Sequence, residues 1–185
     1  MIDEDDVFTE KEHDAHMLAG MVDKLHINTR DSTIRRQLLF NSGEPYEPRL
    51  LQESERILRA TPYIGDAHIH PVAYHDGVVD VEVHTRDVWT LDTSVSFGRK
   101  GGANSFGIQL QDVNLAGLGL HLGLGRKSDV DRVSTTLRFV APSLGHQRWT
   151  LDASYSSNSD GYERGLFLGR PFYSLDTRWT AGMLG

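Results

Sequence analysis

From Trp89 to the C-terminus the side chains alternate between apolar and polar with a period of two. Leu91, Thr93, Val95 and Phe97 oppose Asp92, Ser94, Ser96 and Gly98. Phe106, Ile108 and Leu110 alternate with Gly107, Gln109 and Gln111. The same holds for Leu118 to Gly125, Val133 to Phe139, Trp149 to Tyr155 and Leu175 to Met183, with a less regular run from Gly165 to Tyr173. Successive residues of a strand point to opposite faces, so this half must form a sheet with one apolar and one polar side. Turn residues separate the runs, as in Lys100-Gly101-Gly102, Lys127-Ser128-Asp129 and Ser157 to Gly161. The runs recur every roughly 14–15 residues, longer than the spacing of about 8–12 in soluble all-β domains. Strands of about 9–11 residues plus a turn fit that repeat, and that is the span of a tilted membrane strand. The polar face carries Asp92, Gln109, His121, Arg138, Asp152 and Arg178. It is too charged for a packed sandwich core and suits a wet lumen. The alternation by itself also admits a soluble β-sandwich or lipocalin-like barrel.

The first 89 residues differ. They carry 9 Lys/Arg and 18 Asp/Glu, whereas residues 90–185 carry 10 and 8; the two parts, −9 and +2, sum to the net −7 of the chain. Phosphate binding needs a basic face, so the acidic front half argues against a nucleic-acid partner. Thr9-Glu10-Lys11-Glu12 has the form of a capping box and opens a helix over about Glu10–Val22. Leu25 to Thr29 reads as a short strand. Asp31 or Ser32 can cap a second helix running through Phe40, with Ile34 and Leu38 on one side. Pro48 suits the first turn of a third helix, on which Leu50, Leu51, Ser54, Ile57 and Leu58 form one stripe and which Pro62 ends. Asp66–Tyr74 and Val78–Arg86 flank His75-Asp76-Gly77, a strong hairpin signal. Pro71 marks the first of these strands as an edge.

The chain contains no cysteine, so neither a disulfide framework nor a thiolate metal site is available. The start, Met1-Ile2-Asp3-Glu4-Asp5-Asp6, is acidic where a signal peptide is basic and then apolar, so an exported protein would need a different beginning. No window reaches the 18 or so apolar residues of a membrane helix.

The order of these pieces resembles a known family. Thr29 to Phe40, Gly43-Glu44-Pro45-Tyr46, Leu50 to Arg59 and the strand Gly77 to Val83 are similar to a POTRA domain, whose order is strand–helix–helix–strand–strand. The junction Asp87-Val88-Trp89-Thr90-Leu91, then Ser96 to Asn104 and Asn114 to Gly119, resembles the first barrel hairpin of the BamA/TamA superfamily of outer-membrane proteins. The resemblance covers about residues 22–185. It implies an α+β POTRA-like domain followed by an antiparallel, all-β transmembrane barrel segment. The implied division is an N-terminal helical segment over 1–21, the POTRA-like domain over 22–88 and the barrel's N-terminal part over 89–185. The six or seven strands here are fewer than that barrel has, so the resemblance implies a fragment or split gene.

It further implies a protein of the Gram-negative outer membrane, with the POTRA-like domain in the periplasm, that assembles or translocates other proteins by strand addition. Two edges would receive a client: Ala67, Ile69, Val72 and Tyr74 on the POTRA-like edge strand, and Leu91, Thr93, Val95 and Phe97 on the first barrel strand. The expected partners are unfolded outer-membrane or secreted clients, outer-membrane lipid and accessory assembly subunits, with no cofactor, nucleotide or nucleic acid. Similar barrels also serve as anchor or conduit for a fused enzyme such as a patatin-like lipase.

The sequence offers no catalytic constellation. Gly-x-Ser-x-Gly, P-loop and His-Glu-x-x-His patterns are absent. His68-Ile69-His70 places two imidazoles on one side of a strand and echoes an amidohydrolase metal motif. That fold needs about 250 residues and ligands from later strands. The expectation is therefore no metal, with the pair on the exposed face of an edge strand.

Overall fold

The computed structural model describes residues 2–5, 28–100, 102–145 and 147–185. The chain divides into two compact units. One comprises Met1–Trp89 with Ala116–Leu118 and Ser174–Asp176; the other comprises Thr90–Leu115, Gly119–Tyr173 and Thr177–Gly185.

Among the described residues, the first unit has β1 (Ile2–Asp5), α1 (Asp31–Arg35), α2 (Pro48–Arg59), β2 (Ile64–His75) and β3 (Val78–Asp87). Its sheet has the order β1-β3-β2, with β1 parallel to β3 and β2 antiparallel to it. Asp76 and Gly77 form the two-residue turn between β2 and β3, and both have positive φ, as the mirror-image turns of hairpins require. Ile34, Leu51, Leu58, Tyr63, Ile64, Ala67, Ile69 and Val83 make the core. Pro48 opens α2, and the stripe of Leu51, Ser54, Ile57 and Leu58 is buried. Glu53 is buried beside that stripe. It is held by a two-pronged bond from Arg56, with donor distances of 2.9 and 2.7 Å, and by the Leu175 N–H at 3.1 Å.

One expectation for this unit changes, and two others fall wholly or mostly outside the described residues. The helix expected through Phe40 stops at Arg35. The N–H groups of Gln37 and Leu38 bond only three residues back, and the Leu39 N–H is drawn to Ser54 Oγ at 2.9 Å. A side chain of the neighbouring helix thus takes the donor that would have continued α1. The strand expected over Leu25–Thr29 lies outside the described residues up to Ile27, and Asn28 and Thr29 are not in a strand. The first strand among the described residues is β1; the helix expected over Glu10–Val22 lies outside them.

The second unit is one antiparallel meander. Its strands are β4 (Leu91–Lys100), β5 (Ala103–Asp112), β6 (His121–Ser128), β7 (Val133–Leu144), β8 (Trp149–Asn158), β9 (Gly161–Arg170) and β10 (Ala181–Leu184), each paired with the next. The sheet is open, with β4 and β10 at its edges. Residues paired across antiparallel strands share a face, so the register sorts the side chains. Thr93, Leu110, Leu124, Leu137 and Tyr155 form one continuous row across five strands. Val95 with Ile108 and Phe97 with Phe106 lie on the same side. All these apolar residues are exposed, Phe97 to 80%.

Two strand limits move. The run expected from Leu118 starts only at His121. Leu115 N–H bonds Leu120 O, and Gly119 N–H bonds the buried Asn114 side chain at 2.8 Å, so the chain turns through Leu118 and Leu120 instead of extending. The strand expected over Leu175–Met183 shortens to Ala181–Leu184, because Leu175 donates to Glu53 rather than to a neighbouring strand. β9 is in turn a regular strand. In β7, Pro142 lacks an N–H to donate and coincides with a shift in the pairing between Ala141 and Leu144.

Candidate functional site

Backbone edges are the first candidates, because an unpaired strand presents donors and acceptors to any extended chain. In β4, Lys100 pairs with Ala103 across a two-residue connection. The closing pair of such a hairpin exchanges both hydrogen bonds, and the direction alternates thereafter. Even-numbered residues of β4 therefore bond to β5, and Leu91, Thr93, Val95 and Phe97 turn their backbone away from it. Among the described residues no strand pairs with that side. These are the four residues expected on the first barrel strand.

The β2 edge is different. His75 and Val78 close the hairpin, so Val78, Asp80, Glu82 and His84 of β3 face β2, and their partners include His70 and His68. Ala67, Ile69 and Pro71 consequently turn their backbone outward. None offers a free donor. Ala67 N–H bonds Asp66 Oδ1 at 2.8 Å, Ile69 N–H bonds Glu55 Oε2 at 2.8 Å, and Pro71 has no N–H. The side chains of Ala67 and Ile69 point into the core. A register shift at Val72 follows, and Val72 and Tyr74 are exposed, to 54% and 75%. The four residues expected on this edge thus split into a blocked pair and an open pair. The Glu55 and Asp66 carboxylates were not legible in the sequence, since nothing in the α2 stripe signals a side chain reaching a strand donor 14 residues on.

The two faces of the second unit are the next candidates. The polar face is concave and holds a hollow of about 540 Å³ lined by Ser94, Gln109, Gln111, His121, Thr136 and Arg138, among others. A polar network runs across it. Gln111 donates to Asp92 at 3.1 Å, Arg138 forks onto Asp152 at 3.1 and 2.6 Å, and the Thr136 and Ser156 hydroxyls bond at 3.1 Å. Glycines let strands approach on this face: a Cβ on Gly98, Gly107 or Gly165 would stand 2.6, 2.6 and 2.7 Å from the hydroxyls of Ser105, Ser96 and Ser154. Of the expected polar-face residues, Arg178 lies outside any strand. At one end of the sheet, Arg170 bonds the carbonyls of Gln147 and Trp179 and lies 4.0 Å from the Trp179 ring centroid. Trp149 meets Trp179 edge-on at 6.3 Å, and Arg148 covers Tyr173. This cluster was missed in the sequence because its members come from two loops and two strand ends.

Within the first unit, the carbonyls of Ala116–Leu118 are gathered by α1 and its two capping residues. Arg30 N–H and Thr33 Oγ1 donate to Gly117 O at 3.0 and 2.8 Å, Arg30 Nε to Ala116 O at 3.0 Å, and Arg36 to Leu118 O at 3.3 Å. His68 and His70 of the sequence pair are separated in role. His68 contacts Asp66 and Arg59, each at 3.2 Å, whereas His70 lies beside Glu82 and His84.

The second unit is thus an open antiparallel meander with an exposed apolar face, a concave polar face and aromatic residues at a sheet end. The fold is similar to that of two solved structures. BamA from Haemophilus ducreyi lacking POTRA domains 1-3 is similar over 77% of this chain and 30% of its own, with a TM-score of 0.63 and 18% identity. CdiB from Acinetobacter baumannii is similar over 86% of this chain and 37% of its own, with a TM-score of 0.55 and 14% identity. The chain therefore spans about a third of the length of these structures. No protein family and no curated protein matches the sequence. No helix among the described residues is long and apolar enough to cross a membrane, which says nothing of strands.

Proposed function

We propose that this protein is an outer-membrane assembly or translocation factor that receives its client as an added strand at the β4 edge. The observation that carries the reading is that edge: Leu91, Thr93, Val95 and Phe97 present their backbone outward at the border of a membrane-type sheet. Pairing there uses main-chain groups, so it accepts many client sequences, while the alternating side chains select apolar residues for the lipid side. The exposed apolar face disfavours a soluble binding protein, because a contiguous patch of that kind needs lipid or a partner to cover it. Two helices followed by the β2–β3 hairpin, the order of the described elements from Asp31 to Asp87, support a POTRA-like domain on the periplasmic side. Its open edge is Val72 to Tyr74, with Ala67 and Ile69 held back behind Asp66 and Glu55. The chemistry of such an acceptor is hydrogen bonding and burial.

Photo-crosslinking tests this in outer membranes from cells expressing the protein. A crosslinker at Thr93 or Val95 should capture an unfolded outer-membrane client during its assembly, and one at Gln109, on the concave face of the neighbouring strand, should capture far less. Equal yields from all positions, or no client adduct at Thr93 and Val95, would refute the β4 edge as the acceptor.

A further inference from the structure

On the solvent side of the β2–β3 hairpin, His70, Glu82 and His84 bring their ligand atoms within 4.8 Å of one another, the one such group among the described residues. His70 pairs directly with Glu82 in the register, and His84 is two residues further along β3. The two imidazoles are parallel to within 3°, with centroids 5.7 Å apart. Both turn Nε2 toward the same carboxylate oxygen: Glu82 Oε2 is 3.1 Å from His84 Nε2 and 3.7 Å from His70 Nε2. Ligands around a tetrahedral zinc ion sit about 2.0–2.2 Å from the metal and so stand about 3.3–3.6 Å from each other. The two carboxylate–imidazole spacings bracket that requirement, and the ligand atoms of the two histidines lie within 4.8 Å of each other.

The backbone fixes this arrangement. The opposite face of the same hairpin places Ala67, Ile69 and Val83 in the core, so neither strand can turn its histidines away without exposing that core. His68 does not compete, being taken by Asp66 and Arg59.

From this convergence we propose that His70, Glu82 and His84 form a binding site for one divalent transition ion of the zinc class. Two imidazoles and one carboxylate suit such an ion and leave a coordination position for water or for a donor from a bound chain. The ion would tie β2 to β3 across the hairpin and stabilise the fold in proportion to its occupancy. This proposal does not rest on the assembly reading: a protein with any other role could carry the site.

The test uses the 185-residue chain, tag-free and folded in detergent micelles, titrated with Zn2+ alone, by calorimetry and by thermal melting. One equivalent should bind and Tm should rise with zinc concentration. The variant H70A/H84A should lose that equivalent and the Tm rise, and Glu82→Gln should weaken binding by more than about tenfold. Circular dichroism without zinc checks that both variants fold; should H70A/H84A fail, Glu82→Gln alone decides, since it keeps the side chain's shape. Absence of zinc binding by the parent chain would overturn the proposal. So would the same equivalent and affinity in the variants, because zinc would then sit on other histidines of the chain.

Discussion

Replacing Glu55 with alanine tests whether the β2 edge is closed by a side chain. In the folded protein the outward N–H of Ile69 should resist hydrogen exchange although no strand covers it, because Glu55 Oε2 accepts it at 2.8 Å. A hydrogen bond to a charged acceptor contributes about 1.5–3 kcal/mol. The Glu55–Arg59 ion pair, at 2.8 Å and four residues apart on α2, adds about 0.3–0.5 kcal/mol at its partly exposed position. Losing the first should speed exchange of the Ile69 amide by about 10–100-fold, since about 1.4 kcal/mol is a factor of ten. The inward amides of His68 and His70 bond to β3 and should change only by the smaller, general loss of stability. Amide exchange followed by NMR on the micelle-bound protein separates the two effects. The edge argument fails if Ile69 exchanges at the unprotected rate in the parent protein, or keeps its protection in Glu55→Ala. A second readout follows from the same arithmetic. The freed donor offers an added strand one more hydrogen bond of about 1 kcal/mol, so an extended client peptide should bind roughly fivefold more tightly.

Gly117→Ala should destabilise the first unit by about 2–4 kcal/mol in denaturant titration, because φ is +70° there and a Cβ would meet Asn28 O; an unchanged midpoint would refute the packing described. Glu53 is held below the ordinary carboxylate range by its bonds from Arg56 and Leu175, against the opposing effect of burial. A depressed folded-state pKa gives stability that is present above the unfolded value of about 4.3 and lost as pH falls through the folded one. Stability measured against pH should therefore decline more gently on the acid side in Glu53→Gln than in the parent. Leu124→Arg, at the centre of the apolar face, should reduce folding into liposomes by about 2–4 kcal/mol, whereas Thr136→Arg on the concave face should be near neutral; equal effects would refute the assignment of the two faces.

The sheet of the second unit was legible because its information is local. Each of β4, β5, β7 and β8 follows from alternation along its own residues, and the Asp76-Gly77 turn from two residues whose conformations are special. What escaped depended on contacts distant in sequence. Ser54 ends α1 by taking the Leu39 N–H. Glu53 takes the N–H of Leu175 and so shortens the last strand. Glu55 blocks a strand that a pattern reading leaves open. In each case a polar side chain of α2 competes with the backbone for a donor, and periodicity carries no record of such competition. The helix stripe places Ser54 on the buried side, but neither its bond to Leu39 nor the reach of Glu53 and Glu55 is written in the spacing.

The glycines facing serines on the polar side act like the thinner layer of a bimetallic strip. Gly98, Gly107 and Gly165 leave that surface with less bulk than the opposite one, where Phe97, Phe106 and Leu166 stand. A sheet with unequal volumes on its two sides bends toward the smaller. The direction in which this wall curls is therefore set by residue size as well as by polarity. Exchanging a glycine and its serine together should preserve the curl, while enlarging the glycine alone should flatten it.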